Sequence, residues 1–433
     1  KSHEYFPPYL IQYVARRDAN PVSRFADHTL RCRRFEASLW CRNLAQAMLN
    51  RPIEVPDTRQ VNQRIEAATP DAESAAITQS DTVLEEIEKT WPRELSRLVM
   101  HGAGNQNGYL VVNSLSFTRR VCIPIPGLKS HPAVSGPIKG AHVDPTHPEN
   151  SVVIVELPAA GFVWIPEDGR ATAPAPARLP IVEDGVLRNE WFEVVVNRQT
   201  GVVGHIRLHD QRAKRLSQQV SFRFPRERTI GTGDDAYKSQ YAEMRCTGIE
   251  ITSRTPVRGE ITTLGQILDQ LNGEKLATFR QTIRVWRARP IVEIDLELSE
   301  MKVPDGDPWN NYFAARFAWS DSTAAVTRSI FHTAQGFGSE RFETSDYIES
   351  ASDTERLTIV PHGLPFHRKM GSNMVDSLLV VAGETRRRFK FTIAVDATFP
   401  LEAAWNAMTP PAVISTESGP PRSGTSGWFF HLD

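Results

Sequence analysis

The 433-residue chain balances 50 Lys+Arg against 51 Asp+Glu, a formal net charge of −1, so no global field draws it to nucleic acid or to an anionic membrane. Its length allows two or three domains with substantial cores, and 30 Pro, 26 Gly, 9 Trp and 20 Phe suit a turn-rich β protein with aromatic packing. No apolar run approaches the roughly 20 residues needed to span a bilayer. Cys32, Cys41, Cys122 and Cys246 show neither CxxC spacing nor a dense framework, which argues against zinc knuckles and a disulfide scaffold and slightly favours a reducing, cytoplasmic setting.

Residues 1–23, with Pro7, Pro8 and Pro21, read as irregular. From Asp27, a candidate N-cap, to about Asn50 the pattern is helical: Leu30, Phe35, Leu39, Leu44 and Met48 recur at mostly four- and five-residue intervals, and Arg31, Arg33, Arg34 and Arg42 can take the wet face. Pro52, Pro56 and Pro70 break the next stretch. A second helix is predicted from near Ser80, with Leu84, Ile87, Trp91, Leu95 and Leu98 on one side and Pro92 kinking or dividing it. Together, residues 24–100 read as the remnant of a helical bundle. The Gly/Asn-rich linker His101–Gly108 then leads into period-two alternation.

Short strands at Tyr109–Phe117, Val121–Ile125, Val152–Leu157 and Gly161–Ile165 make a small β-domain, 109–170. The Pro/Ala run Ala171–Pro180 marks a boundary. Beyond it, Leu187–Leu208 reads as a hairpin: Phe192, Val194 and Val196 alternate with Trp191, Glu193 and Val195, and a polar loop ends in Gly201. The strands Arg289–Leu298 and Arg388–Val395 each carry one apolar face, as expected of a large antiparallel sandwich over 178–433.

Several polar motifs have plain structural readings. His142-Val-Asp144, with His131 and His147 nearby, has a spacing that could bind zinc, but it sits in a Pro-rich loop. Asp305-Gly-Asp307 reads as a turn. Gly231-Thr-Gly-Asp-Asp235 lacks the Lys of a phosphate loop, and Arg386-Arg-Arg388 reads as an exposed strand edge. No nucleophile elbow is present.

Several segments, in matching order, resemble the C-terminal region of glycoside hydrolase family 38, the α-mannosidases. They are the hairpin opening Leu187-Arg-Asn-Glu190 and turning at Thr200-Gly201; Tyr109–Arg119, with Ser114 where the family has Pro; Phe279–Leu298; Asp307–Trp319; and Leu357–Leu379, with Gly363–Gly371 and Asp376-Ser-Leu-Leu. Arg16–Leu39 is similar to a degraded form of the segment entering the family's bundle, keeping Arg16, Arg17, Arg34, Phe35, Glu36 and Leu39. The resemblance implies a mainly β fold: a short N-terminal helical segment, a small β-domain and a large antiparallel β-supersandwich of galactose mutarotase-like type, truncated at its C-terminus.

The resemblance also implies that the chain is a portion of a longer α-mannosidase-like enzyme, shaping the sugar cleft and supporting an upstream catalytic barrel. Members are retaining glycosidases with two carboxylates and a divalent metal, usually zinc. The metal ligands and nucleophile lie in the barrel, and the bundle histidine has no counterpart, since no histidine falls between Asn50 and Ser80. The implied partners are an α-mannoside and that barrel, with a homo-oligomer left open. The implied substrate-binding residues are Trp309, Asn310, Tyr312, Arg316, His367 and Arg368, with His362 beside them and a substrate-facing tyrosine near Tyr237. Aromatic faces stack on sugar C–H surfaces, and Arg, Asn and His donate to hydroxyls. The same residues also read as core aromatics and ion-pair partners. The alternatives are a non-catalytic carbohydrate-binding or structural β-sandwich, and a sugar-active supersandwich of epimerase or lyase type.

Overall fold

A computed structural model describes residues 21–49, 57–70, 72–102, 104–169, 171 and 179–430. The expected irregular segment therefore lies mostly outside the described residues. Its last part, from Pro21, is helical.

The first helix, α1 (Pro21–Leu49), starts ahead of Asp27. Asp27 is thus a helix-interior residue rather than the N-cap, and it accepts from Arg386 Nη1 at 2.8 Å. The early start is held by Glu384, whose carboxylate accepts from Ser23 N at 2.9 Å and Ser23 Oγ at 2.8 Å. A carboxylate on the unpaired amides of a helix N-terminus is favoured by the helix dipole. A second helix, α2 (Thr58–Ala67), is N-capped by Asp57, which accepts from Arg59 N. The third, α3 (Ser74–Val99), runs through Pro92 without dividing and buries Leu84, Ile87, Trp91 and Leu95. These helices share a core of Phe35, Val61, Ile65, Val83, Leu84, Ile87 and Trp91.

The expected wet face of α1 is in part buried. Arg31 pairs with Asp81 at 2.6 Å, and Arg33 with Asp346 at 3.0 Å. Periodicity could not reveal this, because both acceptors come from elements distant in sequence.

The small β unit has two layers. Gly108–Val112 pairs with Gly161–Pro166, while Arg119–Pro124, Val152–Leu157 and Ile138–His142 form a separate three-stranded sheet. Val111, Val163 and Ile165 pack on that second sheet, and Leu110, Val112, Phe162 and Trp164 pack on the helices. The strands Ala412–Thr416 and Ser426–Trp428, expected in the large sandwich, instead flank Gly108–Val112 and Gly161–Pro166. A strand pair apolar on both faces needs its edges covered as well, and the later part of the chain covers both.

The remainder is the expected antiparallel sandwich. One sheet runs Arg341–Glu343, Phe366–Lys369, Met374–Val380, Tyr312–Trp319, Leu216–Ile230, Val203–Leu208, Phe192–Val196, Val186–Arg188, Val182–Glu183, with Tyr237–Tyr241 added to Leu216–Ile230; we call it the front sheet. The back sheet runs Glu243–Arg254, Arg258–Leu268, Lys275–Trp286, Ile291–Ser299, Arg388–Val395, Arg356–Val360, Ile348–Ala351, Ala325–Ile330, Thr333–Gly336. Arg388–Val395 is accordingly an interior strand and not an edge, because Ile291–Ser299 and Arg356–Val360 pair with it on either side, although Arg388 at its start is exposed; its alternate Phe389, Phe391, Ile393 and Val395 fill the layer between the sheets with Phe317.

The hairpin forms as its alternation requires. Phe192, Val194 and Val196 are buried, and Asn197 Oδ1 accepts from Gln199 N and Thr200 N in the loop. Gly201 takes φ 77° and lies so close to the back sheet that a Cβ would meet Cys246 Sγ at 3.0 Å. Glycine is needed there on both counts.

Phe331 and His332 form the two-residue turn between Ile330 and Thr333, with φ 48° and 61°. Such turns favour Asn-Gly, because a left-handed conformation strains larger L-residues. Phe331 is 92% exposed and so has little packing to lose. Phe331→Asn is expected to raise stability by about 1 kcal/mol; a thermal midpoint below wild type would contradict this account of the turn.

Candidate functional site

The site grows from the outward face of the front sheet. Phe313 and Phe317 point to the core, so Tyr312 and Arg316 point the other way. Register places Gln219, Arg316, Asp376, Arg368 and Arg341 side by side in one row across five strands. One carboxylate thus stands between two arginines. Asp376 accepts from Arg316 Nε at 2.7 Å and Nη2 at 2.9 Å, from Tyr312 Oη at 2.9 Å and from Tyr241 Oη at 3.3 Å. The Arg316 guanidinium also lies over the Tyr241 ring, 3.5 Å from its centroid.

Burial works against the Arg316 charge, yet its bonds to Asp376 outweigh that and hold its pKa above the ordinary value. Burial, then the Asp376 charge, push both Tyr312 and Tyr241 upward. Both phenols therefore stay protonated donors at neutral pH.

A second layer steadies the row. Arg368 donates from Nη1 to Trp309 O at 2.6 Å and to Asn310 Oδ1 at 3.1 Å, and pairs with Glu340. Arg223 reaches the same Asn310 Oδ1 at 3.1 Å and Gln240 Oε1 at 2.6 Å. Beside the row opens a groove of about 750 Å³, lined by Gln199, Gln219, Ser239, Tyr241, Gln270 and Arg316 among others. It forms where the chain leaves the front sheet at Tyr241 and enters the back sheet at Glu243, opposite the hairpin loop at Gln199 and Thr200.

Of the six residues proposed from sequence, only Arg316 lines this groove. Trp309 and Tyr312 are buried, at 3% and 0% exposure. The Trp309 ring meets Phe366 edge-on and lies beneath Arg341, so its faces are taken. Asn310 and Arg368 brace the row. His367 lies apart, in the interior layer, where it donates from Nε2 to Leu364 O at 2.9 Å and its Nδ1 meets Ser377 Oγ at 3.0 Å. His362, at φ 48°, meets Thr392 Oγ1 through Nε2 at 2.9 Å. Burial drives both imidazoles down to about 3, and they are neutral core groups. A direct contact role for Trp309, Tyr312 and His367 is therefore corrected to a supporting one.

Tyr237 is exposed and donates to Gln270 Oε1, whereas Tyr241, on the same strand face, carries the site. Tyr241 and the acceptor role of Asp376 were missed. The available signal was a lone carboxylate in the apolar run Met374–Val380, since a charge buried in a strand must be paired.

Among the described residues, no three His, Cys, Asp or Glu side chains converge as a metal site. Asp144 accepts from Thr146 N and His147 N in a turn, and His131 Nε2 is taken by Val143 N. These residues do not fit the zinc that the resemblance implies for the intact enzyme. Asp305 and Asp307 likewise accept from Asn311, Trp309 and Asn310, as a turn does.

No protein-family model matches the sequence, and no curated protein does. Solved structures do match. An α-mannosidase from Enterococcus faecalis V583 aligns with 96% of this chain and 59% of its own, with a TM-score of 0.67 at 9% identity. A glycosyl hydrolase family 38 protein from Enterococcus faecalis aligns with 96% and 62%, with a TM-score of 0.65 at 9% identity. The fold is that of family 38 structures. The chain spans about three fifths of the length of each.

Two measurements test the electrostatics of the buried polar groups. Asp376→Asn leaves Arg316 buried without its anion and is expected to cost about 3–5 kcal/mol in urea unfolding; a loss below 1 kcal/mol would show that the pair is not structurally required. For His367, the folded pKa is depressed, so its neutral form contributes fully above the unfolded value near 6.5 and the contribution is lost as pH falls toward about 3. Between pH 7 and 5 the wild type should lose about 1–2 kcal/mol more than His367→Gln, whose amide can keep a donor toward Leu364 O without titrating; parallel pH dependences would remove His367 from the account.

Proposed function

We propose that this chain is the cleft-shaping portion of an α-mannosidase-like glycoside hydrolase, acting with an upstream catalytic barrel on α-mannosides. The observation that carries the reading is the alignment of 96% of the chain with an α-mannosidase structure. The groove's chemistry supports it. Arg316 and Asp376 neutralise each other, so the groove offers no net charge for an anion. Glu243 and Arg245, which also line it, pair with each other at 3.8 Å, and beside them stand hydroxyl-matching groups: the Gln199, Gln219 and Gln270 amides, the Ser239 hydroxyl and the Arg316 guanidinium. Amides both donate and accept, as a polyol does, and the Tyr241 ring supplies an apolar flank. In this role Arg316 and Gln219 orient a sugar, Tyr241 holds Arg316 in place, and bond cleavage belongs to carboxylates of the barrel. Zinc would be held there and not by this chain.

The second reading, a non-catalytic carbohydrate-binding or structural β protein, is favoured by the altered Asp18-Ala-Asn20 stretch and by the lack of a histidine between Asn50 and Ser80.

The chain alone, supplied with Zn²⁺, is expected not to hydrolyse an aryl α-mannoside, and to recover turnover when combined with a barrel from its own gene. Chelator-sensitive turnover by the chain alone would overturn the assignment of catalysis to the barrel. In an NMR titration with methyl α-mannoside, Gln219→Ala should weaken binding about 5-fold, the loss of one hydrogen bond. Unchanged affinity would exclude the groove as the sugar site.

A further inference from the structure

Arg119 stands apart from the other buried arginines. It is 3% exposed, on the strand Arg119–Pro124 where the small β unit meets α4 (Pro400–Met408) and the sandwich. Its Nη1 donates to Thr409 O at 2.6 Å. The Nε and Nη2 groups form the other edge of the guanidinium, and they are buried with no partner among the described residues. On Arg31, Arg34 and Arg316 this same Nε/Nη2 edge grips a carboxylate.

Among the described residues no carboxylate pairs with Arg119. Glu293, beside Arg289, already serves Arg284, Arg289 and the Trp286 indole. Arg289 adds a second, like charge that, after burial itself, pushes the Arg119 pKa down to about 9. Thr409 Oγ1, on the residue that Arg119 already touches, is also buried and unpartnered. Arginine keeps its proton in proteins, so such a cation must find an anion or carry a large desolvation penalty.

We propose that the Nε/Nη2 edge of Arg119, with the Thr409 hydroxyl, binds a small monovalent anion, a halide or a short carboxylate, that ties the small β unit to α4. The bidentate edge suits one compact acceptor, and the buried setting excludes bulky or multiply charged ions, whose desolvation would be greater.

The test is thermal unfolding of the whole chain at fixed ionic strength, replacing sodium gluconate by chloride, bromide or formate. The midpoint should rise by roughly 1–2 °C for every tenfold increase in the small anion above its Kd, and Arg119→Met should abolish that rise. Whichever of chloride and formate acts at the lower concentration identifies the source. If Arg119→Met does not fold, bromide soaked into crystals decides: anomalous density within hydrogen-bonding reach of Arg119 Nε supports the site, and its absence overturns it. A midpoint indifferent to the anion, or a response that survives Arg119→Met, also overturns the proposal.

Discussion

A single buried carboxylate organises the outward face of the front sheet. Asp376 is fully buried and accepts from one guanidinium edge and two phenols. Because a buried anion must be fully paired, its presence fixes the rotamer of Arg316, the tilt of Tyr241 and the depth of Tyr312. The neutrality of the groove beside it follows from the same pairing. The other polar residues around it, Arg223, Asn310, Arg368 and Glu340, form a brace that holds neighbouring strands in register with the row.

The groove itself is a consequence of topology. The long strand Leu216–Ile230 turns back through Tyr237–Tyr241, and the chain then passes from one sheet to the other within a residue or two. That crossing keeps the sheets from closing over one another at this corner. The hairpin loop ending at Gly201 fills the far side, where Thr263 Oγ1 donates to Gly201 O at 2.6 Å. Helix α1 caps the opposite end of the front sheet, with Phe25 meeting Phe366 at 5.5 Å and Arg33 reaching Asp346. The helices are therefore part of the sandwich's packing as well as a bundle of their own.

Much of the fold was legible. Strands with one apolar face, such as Ile291–Ser299 and Phe192–Val196, alternate as their sequences do, because the period-two rule depends only on local geometry. Helix α3 was legible from its apolar stripe. The errors came where a distant partner decided the outcome. Asp27 has the sequence of a cap, but Glu384 caps a helix that begins six residues earlier. The basic run ending at Arg388 looks like an edge and Arg388 is exposed, but the strand it opens is paired on one side along Arg388–Ala394 and on the other along Thr392–Val395. Of the candidate groove, residue type alone points to Arg316, while Tyr241 and the role of Asp376 depend on strands brought together from far apart.

The sequence by itself determined the mainly β class, the hairpin and its glycine, the alternating core faces, and the set of polar residues from which a site could be drawn. Those features follow from local backbone geometry and from the need to bury apolar side chains. Only the tertiary structure decided which polar residues meet. It buried Trp309, Tyr312 and His367, set Arg316 on Asp376 at the wall of an open groove, and left one guanidinium edge of Arg119 without a partner among the described residues. The physical reason is that pairing and burial of charge depend on the neighbour across the sheet, and strand register, not sequence spacing, chooses that neighbour.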